Sequence, residues 1–161
     1  MSKKKTPSKK EQELLEALRS KDVYVRLAAA RYRHATPEVL LRALKDRAKE
    51  VRRTAAYNRK ATPEILLIAM KDEHKWVRWN AAANLNATPE VLLLAMKDKD
   101  KDVRCEAAGN PKIKSLNLST DKWLELVAEG FFEGSLKNIP PHVKKDPRYK
   151  SIRLLSKLAN P

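Results

Sequence analysis

The chain has 161 residues, with 35 Lys and Arg against 20 Asp and Glu, a formal net charge of +15. Hydrophobic residues make up 42%, but aromatics only 6% and glycines number three, which excludes a turn-rich β architecture and points to an all-α core of Leu and Ala. The single cysteine, Cys105, excludes an intramolecular disulfide, and no apolar run of roughly 18 residues is present to cross a membrane.

Residues 1–10 hold five lysines and no acid, so they read as a basic disordered tail. No apolar stretch of signal-peptide length follows, and with one cysteine the expectation is a cytoplasmic protein. Next comes EQELLEALRSKD, a half-repeat that opens an array over 11–110. There HATPEVLLRALKD from His34, KATPEILLIAMKD from Lys60 and NATPEVLLLAMKD from Asn86 restate one phrase with a period of 26. Val25-Arg26, Val51-Arg52, Val77-Arg78 and Val103-Arg104 keep the same step, each followed by an alanine pair. A fixed period of this length marks stacked supersecondary units.

Each unit predicts two helices. Thr36, Thr62 and Thr88 suit the N-cap, and the prolines after them suit the first helical position, where a missing N–H leaves nothing unpaired. Val39, Leu40, Ala43 and Leu44 stripe a first helix from about Pro37 to Lys45. Val51 and Ala55 face one way on a second, near Glu50 to Asn58. Neither stripe is buried until units stack, and the alanine pairs let neighbours approach closely.

The pattern Val-Arg-x-x-Ala-Ala, then Asn58, Asn84 or Asn110, then Thr-Pro-Glu-x-Leu-Leu resembles the variant leucine-rich repeat family, within the wider HEAT-like group. The resemblance covers about residues 11–110. It implies a right-handed α-solenoid of about three and a half two-helix repeats, with room for one helix of each pair to be 3₁₀. It also implies that Asp46, Asp72 and Asp98 pair with the repeated arginines between units. Some members carry a cysteine-ligated iron–sulfur cluster ahead of the repeats; with only Cys105 none is expected here.

Beyond 110 the pattern breaks. Residues 111–136 predict a divergent capping unit, with a Ser119-Thr120 start and the aromatics Trp123, Phe131 and Phe132. Residues 137–161 carry seven basic residues against one acid and read as a basic linker and a final amphipathic helix striped by Ile152, Leu155 and Leu158.

Positions that refuse to repeat are the candidates for recognition. Tyr24, Glu50, Trp76 and Asp102 share one slot; Leu27, Arg53, Trp79 and Cys105 share another; Arg31, Tyr57, Ala83 and Gly109 share a third. Variation at a fixed slot is expected where each unit faces a partner. Trp76 and Trp79 sit one turn apart beside Lys75, and Tyr24, Arg31, Arg33, Arg53, Tyr57 and Lys60 make the first units basic and aromatic. The expected partner is an acidic macromolecule, nucleic acid first, with a protein adaptor role using the concave surface as the alternative.

Catalytic patterns are missing. His34, His74 and His142 show no metal spacing, and DKDKD from Asp98 has Val103 and Gly109 where a calcium loop needs Gly and Glu. A HEAT-like alkylpurine DNA glycosylase is a remote alternative, since Trp76, Trp79 and Asp102 match no motif residue by residue. The expectation is therefore a monomeric, non-catalytic scaffold with no metal, cofactor, membrane or small-molecule substrate.

Overall fold

The threonine-proline starts do what their chemistry dictates. In the computed structural model, which describes residues 6–130, 132 and 136–159, they open helices α3 (Pro37–Ala43), α5 (Pro63–Ala69) and α7 (Pro89–Met96). Thr36 Oγ1 accepts from the Val39 N–H at 3.4 Å, and Thr62 and Thr88 accept likewise from Ile65 and Val91. The partner helices are α2 (Val23–Arg31), α4 (Lys49–Tyr57), α6 (Lys75–Ala83) and α8 (Lys101–Gly109), behind a leading α1 (Lys9–Ala17). Asp22, His74 and Asp100 cap α2, α6 and α8 through their side chains, while α4 starts at Ala48 without one. Both helices of every unit are α, seven to nine residues long, so neither takes the 3₁₀ form that the resemblance left open.

The result is an all-α repeat solenoid with no strand among the described residues. Second helices stack on one another in the order α2, α4, α6, α8, and α3, α5 and α7 form the other layer. Ala29, Ala30, Ala55, Ala56, Ala81, Ala82, Ala107 and Ala108 are all buried at the stacking seam. The first helices fill the space between layers with Val39, Leu40, Ile65, Leu66, Val91 and Leu92. Each such aliphatic side chain contributes about 1.5–3 kcal/mol by leaving water.

Two polar ladders fix the register. Arg26, Arg52 and Arg78 donate from Nε to Asp46, Asp72 and Asp98 of the next unit at 2.7, 2.6 and 2.7 Å. Each also donates from Nη1 to two backbone carbonyls ahead of its own helix, as Arg52 does to Asp46 and Arg47. One guanidinium therefore clamps two consecutive loops. Asn58, Asn84 and Asn110 form the second ladder, each donating from Nδ2 to two carbonyls of the preceding unit; for Asn84 these are Ala56 and Asn58, at 2.8 and 3.1 Å. The bonds to Ala30, Ala56 and Ala82 satisfy buried acceptors at helix C-termini; the second carbonyl of each rung also accepts a backbone N–H.

Past the array, a 3₁₀ turn at Pro111–Ser115 leads to α9 (Thr120–Ala128), capped by Ser119. Trp123 is fully buried against Phe132, 5.5 Å between centroids; Phe131 lies outside the described residues, as do 1–5 of the tail. Two expectations need correction here. The tail does not reach residue 10, because Ser8 caps α1 and Lys9 and Lys10 are helical. The basic linker is folded: a 3₁₀ turn at Leu136–Asn138 and α10 (Pro141–Lys145) bury Ile139 and Val143, and Asn138 extends the asparagine ladder to the Ala108 carbonyl at 2.6 Å. The last helix, α11 (Arg148–Ala159), turns Tyr149 and Ser156 inward and half-buries Ile152, while Leu154, Leu155 and Leu158 face out. A hydrophobic stripe shows that a helix has two faces, not which one the body covers.

Candidate functional site

Because the second helices stack in register, equal positions on α2, α4 and α6 lie side by side. Arg31 from α2, Arg53, Thr54 and Tyr57 from α4, and Trp76, Trp79 and Asn80 from α6 line one open cleft of about 460 Å³. Five of the nine candidate residues thus meet at a single place. Tyr57 also borders a neighbouring cleft of about 350 Å³ with Arg59, Ala83, Asn84, Leu85 and Asn86.

The two indoles play different parts. Trp76 is 41% exposed, whereas Trp79 is half-buried and packs against the core. The rings meet edge to face, so Trp79 props Trp76 from beneath. Tyr57, 68% exposed, offers a second flat ring. Arg31 and Arg53 are exposed and have no carboxylate partner among the described residues.

Asn80 and Thr54 were not singled out from the sequence, yet both line the cleft. Asn80 is buried and donates from Nδ2 to the Trp76 carbonyl at 2.7 Å; Thr54 Oγ1 donates to the Glu50 carbonyl at 2.8 Å. The signal was available, since Ala28, Thr54, Asn80 and Glu106 form a fourth varying slot at the same period.

Lys75 is not a free cation. Its Nζ lies 2.8 Å from Asp102 and 3.5 Å from Asp100, and 5.0 Å from the centre of the Trp76 ring. The Asp102 hydrogen bond raises its pKa above the ordinary lysine value, against the opposing effect of burial. Asp102, compared above with a glycosylase carboxylate, is held in that pair. Tyr24, Arg33 and Lys60 are exposed but lie outside both clefts. The ladder arginines Arg26, Arg52 and Arg78 are buried between units.

Charge is graded along this face. Units one and two supply Arg31 and Arg53, whereas unit four has Gly109 and Cys105 in those slots and carries Asp102 and Glu106 on the same helix, with burial raising the Glu106 pKa. Among the described residues no group of three or more His, Cys, Asp and Glu side chains comes together to hold a metal ion, and no helix is long and apolar enough to cross a membrane.

Comparison with protein-family models, with curated proteins and with solved structures finds no match for this chain. Its class rests on its own geometry: an all-α helical-repeat solenoid with an aromatic, arginine-bearing cleft across three stacked helices.

Proposed function

We propose that this protein is a non-catalytic recognition module that binds single-stranded nucleic acid along the second-helix face. One observation carries the reading: two unpaired guanidinium groups, Arg31 and Arg53, flank the exposed rings of Tyr57 and Trp76 in one cleft. Guanidinium groups suit phosphates, and flat exposed rings suit base faces. A duplex hides its base faces in the stack, so the aromatic part of the cleft favours an unpaired strand. The excess charge of +15 supports long-range attraction to such a ligand. The repeat spacing supports placing the array with the variant leucine-rich repeats, and a lone cysteine suits a reducing compartment.

The test is fluorescence anisotropy with labelled single-stranded RNA, single-stranded DNA and duplex DNA at several salt concentrations. Micromolar or tighter binding to a single strand near physiological salt, lost in Trp76→Ala, is expected. Equal binding of all three at low salt only, unchanged in Trp76→Ala, describes a generic polycation and removes the reading.

A protein partner is the second reading. It is favoured by the apolar Leu85 in the adjoining cleft and by the acidic end of the face at Asp100 and Asp102, which repels phosphate. A peptide bearing both apolar and basic side chains fits that mixture.

A further inference from the structure

Helix α11 repeats the register of the second helices. Ile152-Arg153 stands where Val51-Arg52 and Val77-Arg78 stand, seven residues behind Asp146 where the inner units use six. Ser156, three residues after the arginine, is buried as Ala55 and Ala81 are. In the array, the arginine at this position reaches forward and donates from Nε to an aspartate 20 residues on. Arg153 is half-buried where those arginines are buried; its Nε is nonetheless shielded from solvent, and among the described residues that atom has no hydrogen-bond partner.

The surroundings point the same way. Lys150, Arg153 and Lys157 share one stripe and, with Tyr149 and Leu154, line a cleft of about 280 Å³. Lys157 replaces the small alanine that inner units bury at that position, Ala56 or Ala82, and is exposed. Arg148, at the helix start, is already engaged by Asp146 and Asp121 at 2.8 Å each. Lys150 and Lys157 are therefore exposed, and Arg153 half-exposed, in the register that elsewhere receives the next helical unit, and Arg153 Nε lacks the carboxylate its counterparts have.

We propose that this face of α11 docks an acidic helical segment of another protein, which presents a carboxylate in the plane of the Arg153 guanidinium. The exposed Leu154 gives that helix an apolar contact beside the charges. A second copy of this chain is a poor occupant. The position of its first unit that corresponds to Asp46 is Ser20, and two chains of net charge +15 repel.

The probe is a labelled synthetic peptide of residues 86–110, whose Asp98 is the aspartate that Arg78 uses within the array. It is titrated against the full chain by anisotropy. Saturable binding is expected, weakened at least about tenfold by Arg153→Gln in the chain or by Asp98→Asn in the peptide, and unaffected by Arg53→Ala. The same segment fused behind Pro161 should gain helical ellipticity, and less so with either substitution. Neither binding nor a helicity gain, or insensitivity of both to Arg153→Gln, overturns the proposal. Equal competition by inorganic phosphate also overturns it, since the cleft is then a plain anion site.

Discussion

Trp76 and Trp79 meet with 6.1 Å between ring centroids and 67° between planes, one ring open to the cleft and the other wedged against the core. Substituting them should therefore separate binding from stability. Trp76→Ala is expected to weaken single-strand binding about tenfold or more, with a stability change within about 1 kcal/mol. Trp79→Ala should cost about 1–3 kcal/mol, less than a fully buried tryptophan. Urea unfolding beside anisotropy checks both, and a Trp76→Ala protein that unfolds early would place that ring in the core.

Arg53 and Lys75 are both basic and close to Trp76, but only Arg53 is free to meet a phosphate. Arg53→Ala should lower affinity and reduce the slope of log affinity against log salt by about one. Lys75→Ala should leave the slope unchanged, because Lys75 is already paired with Asp102 and Asp100. Equal slopes for the two variants would move the phosphate path away from the cleft.

The arginine–aspartate ladder predicts acid sensitivity. Burial pushes the Asp98 carboxyl up, but hydrogen bonds from Arg78 and the Asp100 N–H, with the Arg78 charge, outweigh it and hold the pKa below the ordinary aspartate value. A depressed folded pKa contributes stability above the unfolded value and loses it as pH falls through the folded one. Melting temperature should thus fall as the pH drops below about 4, more shallowly in Asp98→Asn. That variant should itself cost about 3–5 kcal/mol at neutral pH, since it leaves Arg78 buried without its counter-charge.

Asn84 holds three hydrogen bonds: Nδ2 donates to the Ala56 and Asn58 carbonyls, and Oδ1 accepts from the Asn86 N–H at 2.8 Å. Asn84→Ala removes the Asn84 bond to the buried Ala56 carbonyl and the acceptor of the Asn86 N–H, while the Asn58 carbonyl keeps the Ala61 N–H, and should cost about 2–4 kcal/mol. Asn84→Asp should be no better, because a carboxylate donates nothing to carbonyls. Denaturant midpoints of the two variants decide it.

The fully buried Ala81 sits where α6 meets its neighbours. Ala81→Leu is expected to overpack and cost about 1–3 kcal/mol, whereas the same change at the half-buried Ala83 should be close to neutral. Comparing their melting curves tests whether the alanine pairs set the helix spacing.

Most of the array was legible in the sequence because its signals are local and repeated. The Thr-Pro-Glu caps, the alanine pairs and the varying slots all fall within one period, and a repeat shows each of them several times. Most of the cleft is legible: Arg31, Arg53, Tyr57, Trp76 and Trp79 stand in varying slots, but Asn80 and Thr54 look like ordinary helix-surface residues. The pairing of Lys75 is not legible in the sequence, because its partners, Asp100 and Asp102, lie one full unit away. The asparagines stood out as a pattern but not as a ladder, since their acceptors are backbone carbonyls 26 and 28 residues back. Asn138 and the fold around it were hidden by the two prolines that follow, which read as a linker yet start α10.

The asparagine ladder also determines how the protein would carry tension. Its rungs join each unit only to the one before, so a pull on the two ends loads the unit boundaries in series, each asparagine sharing the force with the packed seam and, between the inner units, with an arginine–aspartate pair. Asn58, Asn84 and Asn110 each hold with two amide bonds, but Asn138 holds with one among the described residues. Under load the closing segment is therefore the link that yields first, detaching from the seam while the repeats behind it stay stacked.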